Sequence, residues 1–163
     1  MRAYLWSTAF LLGIAFSSNV IAEEKTVPLE KLPQAVTEAV KKMFPKAEML
    51  QASEDEEDGH IEYEVTVKES GKRIDITVEA DGDIEGLEKE FDLKDLPKLV
   101  IAALDKKFPK AAHKSAEAVF QVNDGKERLE YYEVQLTTAD NKKIEAMVKT
   151  DGTVIEQETD EDD

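Results

Sequence analysis

Acids dominate the residues of this chain that are able to do chemistry. Among its 163 residues are 37 Asp and Glu against 21 Lys and Arg, two histidines and no cysteine. Nucleophilic catalysis needs an activated side chain within reach of a base that is itself held in place. The sequence has no Gly-x-Ser-x-Gly elbow, no cysteine nucleophile and no His-Glu-x-x-His zinc helix. His60 follows a glycine and His113 follows the end of a helix, so both are expected in solvent. The chain is therefore expected not to be an enzyme and to carry no cofactor.

The nearest approach to a metal site is Asp81-Gly82-Asp83-Ile84-Glu85-Gly86 with Asp92 beyond it. Written as a calcium loop, it puts Asp81, Asp83, Glu85, Gly86 and Asp92 at positions one, three, five, six and twelve. The surroundings disagree with that reading. Glu88 falls where an apolar residue belongs, position twelve is the shorter acid, and a strand leads in. Asp151-Gly152-Thr153-Val154 repeats the turn without the ligands, so an ordinary Asp-Gly turn is expected and no defined metal site. Two acidic runs, Glu54 to Asp58 and Glu158 to Asp163, read as a solvated loop and a free tail, holding divalent cations weakly at most.

A sheet face is the stronger candidate. If Tyr132, Val134 and Leu136 point to a core, strand alternation turns Tyr131, Glu133 and Gln135 the other way, beside Glu145 and Met147 of the next strand. Their counterparts earlier in the chain are Glu62, Glu64 and Asp75, with Thr66 and Thr77. Tyrosine and methionine among carboxylates form an anchor with an acidic rim, suited to a protein or peptide with a basic surface.

These residues sit on a motif that occurs twice. Leu32-Pro33 leads to Phe44-Pro45-Lys46-Ala47, and 64 positions later Leu96-Pro97 leads to Phe108-Pro109-Lys110-Ala111. A Tyr-Glu-Val strand follows each (Tyr63, Tyr132), then an Asp-Gly turn (Asp81, Asp151). Pro33 and Pro97 suit the first turn of a helix. Val36, Ala39, Val40 and Met43 make an apolar stripe, repeated by Val100, Ala103 and Leu104, and the prolines after Phe44 and Phe108 end both helices. Alternating runs then predict a hairpin over Ile61–Val67 and Ile74–Val78 with a turn at Ser70-Gly71. Its equivalent spans Tyr132–Leu136 and Ile144–Val148, with a turn near Asp140. Weaker strands are expected at 48–53 and 115–122, and short final strands at Ile84 and Val154. The offset grows to 69 at the tyrosines and 70 at the aspartates, so insertions are expected in the first-hairpin connection and the next turn. The fold class is α+β: two tandem repeats, 23–90 and 91–158, each an N-terminal helix packed on a four-stranded antiparallel sheet, with an acidic tail at 159–163.

The Leu-Pro start, the Phe-Pro-x-Ala helix end, the Tyr-Glu-Val strand and the Asp-Gly turn resemble the PepSY-like family, grouped with β-lactamase-inhibitor-like proteins. The resemblance covers nearly all of residues 27–158. It implies tandem helix-plus-sheet repeats in a secreted or periplasmic module that binds other proteins, in some members inhibiting an enzyme. The streptomycete inhibitor has disulfides and aromatic residues on its sheet; this chain lacks cysteine, so a β-lactamase target does not follow.

Residues 1–22 read as a cleavable export signal: Arg2, an apolar stretch from Leu5 to Phe16, and cleavage after Val20-Ile21-Ala22. The stretch falls short of the ~20 apolar residues that span a bilayer, so no membrane insertion is expected after cleavage. Removal would leave 141 residues and, with Arg2 gone, move the net charge from −16 to −17. Such a charge repels phosphate and excludes nucleic acid as a partner. The expected function is thus an exported, non-enzymatic protein-binding module, with inhibition as one mode of action and an acidic, calcium-responsive envelope protein as the alternative.

Overall fold

The computed structural model describes residues 25–57 and 60–160. The export signal with its cleavage site, and the last three residues of the acidic tail, lie outside the described residues. In chain order the elements are β1 (Lys25–Thr26), a 3-10 turn (Leu29–Lys31), α1 (Gln34–Met43), β2 (Glu48–Glu57), β3 (His60–Glu69), β4 (Lys72–Glu79) and β5 (Ile84–Phe91). A second 3-10 turn (Leu93–Asp95) then leads to α2 (Lys98–Lys107), β6 (Ala112–Asn123), β7 (Lys126–Thr137), β8 (Lys143–Val148) and β9 (Val154–Asp160).

Both helices are bounded as their prolines dictate, with one shift at the start. Pro33 and Pro97 stand just before the helix rather than inside its first turn, at φ −54° and −57°, and their carbonyls accept the N–H groups of Thr37 and Ile101 at 3.1 Å. Phe44 and Phe108 close the helices at φ −124° and −123°, each donating its N–H four residues back. Val36, Val40, Val100 and Leu104 are fully or almost fully buried, which stabilises each helix–sheet contact by roughly 1.5–3 kcal/mol per side chain. The partly buried Ala39, Met43 and Ala103 flank them.

All nine strands form a single antiparallel sheet in sequence order. The two repeats do not make separate sheets: β5 pairs with β6 from Gly86↔Gln121 to Phe91↔Ala116, so the second half continues the first. Both helices cover one face, and the apolar alternation of β3, β4, β7 and β8 supplies its floor. One core gathers Val36, Val40 and Phe44 over Val65, Ile76 and Val78; the other gathers Val100, Leu104 and Phe108 over Val134, Ala146 and Val148. Ile61, expected inward, is exposed near the start of β3.

Turn chemistry pins the register. Ser70 and Gly71 both have positive φ, 54° and 88°, and join Glu69↔Lys72 in a two-residue hairpin. Asp124-Gly125, at 52° and 69°, does the same between Asn123 and Lys126. Gly82 and Gly152 are required for a different reason: at φ 94° and 85°, a Cβ on either would stand 2.8 Å from the carbonyl oxygen of Ala35 or Leu99. Each Asp-Gly turn thus sits directly against its own helix, and each preceding aspartate accepts the N–H two residues on, at 3.1 Å for Asp81 and 2.8 Å for Asp151.

Two expectations about length are corrected. Of the acidic run Glu54 to Asp58, whose last residue lies outside the described residues, Glu54–Glu57 is no solvated loop but the continuation of β2, paired through Glu57↔His60, and Glu158–Asp160 is no free tail but the end of β9, paired with β8. Glu54 accepts from the Tyr63 hydroxyl at 3.2 Å and from Lys25 at 3.3 Å, and the hairpin partner supplies the ladder bonds that a loop would lack. In the second repeat, part of the added length lies within strands. β6 and β7 are twelve residues each against ten in β2 and β3, with register shifts at His113/Ser115 and Val119/Phe120 absorbing the surplus. The β7–β8 connection is also longer, 138–142, with Asn141 at φ 64°.

Candidate partner-binding face

The face opposite the helices carries every residue singled out as a partner contact. Glu62 and Glu64 lie on β3, Asp75 on β4, Tyr131, Glu133 and Gln135 on β7, and Glu145 and Met147 on β8. Register joins the two ends of this set: Thr66, Asp75, Glu88, Val119 and Tyr131 form one row across five strands, and Glu90, Glu117, Glu133 and Met147 the next. The face is less solvent-facing than alternation implies. Asp75 is 3% exposed, Glu133 5% and Met147 6%. Central strands of a wide sheet have neighbours on both sides, and their long side chains screen one another.

At the centre lies a bed of carboxylates that includes Glu88 and Glu117, two residues the sequence reading did not select. Glu88 is 5% exposed and one of its oxygens, Oε2, has no hydrogen-bond partner. Burial, followed by repulsion from Glu117, Glu64, Asp75 and Glu145, pushes its carboxyl up to about 8. Glu133 is raised as well, first by burial and then by Glu145 and Glu88; it also shares a hydrogen bond with Glu145. Glu117, directly opposite Glu133, is raised mainly by burial and by Asp75, with Arg73 opposing. Like charges placed across a strand pair destabilise a sheet, and buried acids with displaced pKa values gather at functional sites.

One cation offsets this bed. The Arg73 Nε stands 2.8 Å from Asp75 Oδ2, and the Thr66 hydroxyl donates to Asp75 Oδ1 at 2.5 Å, so Asp75 is committed. Lys68 and Lys143 stand exposed toward the rim. Around the outside, Ser115 donates to Gln135 at 3.0 Å and Gln135 to Glu145 at 3.5 Å.

The apparent calcium loop does not exist as a unit. Asp92 is tied to Lys72 at 2.9 Å, while Glu85 belongs to β5. Glu85 instead joins Glu62 and Glu79, whose carboxylate oxygens lie within 4.8 Å of one another, an arrangement that could hold a cation. Burial and then Glu79, Asp83 and Asp81 raise Glu85. His60 is exposed at the start of β3, whereas His113, in β6 and expected in solvent, is only 20% exposed and stands 3.6 Å from Asp105.

Known structures share this architecture. A DUF2874 family protein from Bacteroides uniformis superposes with TM-score 0.62 at 15% identity, covering 78% of this chain and 88% of that one. A BLIP-like protein from Bacteroides fragilis gives 0.60 at 16%, covering 84% and 90%. A "putative periplasmic" protein from Bacteroides eggerthii gives 0.63 at 18%, covering 78% and 88%. At these identities the likeness is one of fold. No curated protein is similar to the chain. The family model described as "Putative beta-lactamase-inhibitor-like, PepSY-like" matches twice, over residues 14–86 and 80–156, once for each copy of the motif. The chain belongs to this PepSY-like family.

Proposed function

We propose that the chain is an exported, non-enzymatic protein-binding module that docks a basic partner on the helix-free face of its sheet. The observation that carries this reading is the carboxylate bed of Glu64, Asp75, Glu88, Glu117, Glu133 and Glu145, into which Arg73 reaches paired with Asp75. Such a surface steers cationic proteins and repels anionic ones. The export signal at 1–22, cleaved after Ala22, agrees with the periplasmic description of the Bacteroides eggerthii relative. Each repeat serves as one helix with its four following strands, and the two together extend one docking surface. The BLIP-like description of the Bacteroides fragilis protein favours inhibition as the mode of action.

Tyr131, Gln135 and Met147 provide the less charged margin of the surface, with Glu62 at its far end. The test is capture of cell-envelope proteins by the purified chain and by a variant carrying Tyr131→Ala and Glu133→Lys. A partner held by the first and lost by the second supports the face; equal capture by both removes it.

A second reading, weak divalent-cation binding, is favoured by the proximity of Glu62, Glu79 and Glu85. Calcium titration by calorimetry, with Glu79→Gln as comparison, decides it: heat at millimolar ion that the substitution abolishes supports this reading, and no heat ends it.

A further inference from the structure

The buried bed is an unusual way to display acids. A face needing only negative potential would leave its carboxylates in water, where ionisation costs nothing; here Glu88 and Glu133 are each 5% exposed. The groups facing Glu88 come from every neighbouring strand: Glu64 of β3, Asp75 of β4, Glu117 of β6, and Glu133 and Glu145 beyond them. Arg73 also reaches the bed, but its guanidinium is engaged by Asp75. Glu90 lies beside Glu117 and accepts the Arg73 backbone N–H at 3.1 Å. Within this arrangement the Glu88 Oε2 is buried and left without a hydrogen bond, an unfavourable condition for a polar atom.

We propose that the bed between Glu88 and Glu133 seats one basic side chain of the partner, an arginine or a lysine, against the buried and unpartnered Glu88 Oε2. This rests on the reading of the helix-free face as a docking surface. An arriving cation donates to Glu88 Oε2 and to the Glu133–Glu145 pair while Glu117, partly exposed and long, swings aside. Among the described residues, three carboxylates come within 4.8 Å of one another only at Glu62, Glu79 and Glu85. A basic side chain brings several N–H donors and can bond more than one of these carboxylates at once.

Proton exchange follows from the same geometry. In the free protein, burial and mutual repulsion keep Glu88 protonated up to about pH 8, and Glu133 is raised in the same sense. A cation between them favours the ionised forms, so binding expels protons and tightens as pH rises toward 8. Each proton released gives up to about tenfold in affinity per pH unit.

Calorimetric titration of the purified protein with a short oligolysine peptide, in buffers of different ionisation heat at pH 7, measures the release directly. The expected result is net proton release, binding that tightens between pH 6 and pH 8, and no binding of the fully acetylated peptide. Glu88→Gln, close in shape and unable to ionise, is expected to flatten the pH dependence and weaken binding about tenfold at pH 8; Glu133→Gln provides a second, independent variant. Wild-type affinity and proton release in both variants would overturn the proposal while leaving the docking face standing. Failure of the docking reading looks different: oligolysine would then bind equally well to a Glu64→Lys, Glu145→Lys protein.

Discussion

Replacing Glu88 with glutamine should make the protein more resistant to alkaline conditions. A carboxyl raised from 4.5 to about 8, at ~1.4 kcal/mol per pKa unit, puts the cost of ionising Glu88 on the order of 5 kcal/mol. Because its pKa in the folded protein lies above the unfolded value, the native state holds the extra proton. Its stabilising contribution is complete below pH 4.5 and disappears as pH climbs through 8. Glutamine has no proton to lose, so the stability difference between variant and wild type should move in the variant's favour by a few kcal/mol between pH 5 and pH 9. At roughly 2–4 °C per kcal/mol for a protein of this size, that is a change of about 10 °C in relative Tm. Thermal unfolding followed by far-UV circular dichroism at pH steps from 5 to 9 reads it. Melting temperatures that run parallel across the range would refute the assignment of Glu88 as a buried, proton-holding acid.

The turns and the core give further tests. Gly82→Ala and Gly152→Ala combine positive φ with a Cβ 2.8 Å from a helix carbonyl, so each should destabilise by about 2 kcal/mol or more in urea unfolding. Gly71→Ala, with nothing within 4 Å, should cost less. Leu104→Ala removes a fully buried side chain and should cost about 2–5 kcal/mol, whereas Leu99→Ala, 60% exposed on the same helix, should stay within roughly 0.5 kcal/mol. Equal losses for the two leucines would show that α2 does not pack as described.

Local signals were the readable part of this chain. Proline at 33 and 97, phenylalanine before proline at 44 and 108, and the alternation in β3, β4, β7 and β8 each act within a few residues. Those segments form the expected helices and hairpins. Asp124-Gly125 is an equally local hairpin signal, and it sets the full length of β6 and β7, which exceeds the strands expected from alternation. Glu54–Glu57 misled because like charge suggests solvation, while the backbone pairing that holds it depends on β3.

The bed was legible only in part. Alternation put Glu64, Asp75, Glu133 and Glu145 on the face, but Glu88 and Glu117 belong to β5 and β6, the seam between the repeats. Which strand lies beside which is a long-range outcome, and no sequence spacing announces that Glu88 will stand among acids from both halves. Repetition pointed to two equivalent units, whereas the most distinctive chemistry arises where they join.

A basic partner settling on the helix-free face should leave its footprint on the strands, which amide chemical-shift mapping of the labelled protein during oligolysine titration reads residue by residue. The account predicts that the largest changes fall on β4 to β8 around Asp75, Glu88, Glu117, Glu133 and Glu145, leaving α1 and α2 unmoved. Changes centred on the helices, or spread evenly over the acidic surface, would contradict it.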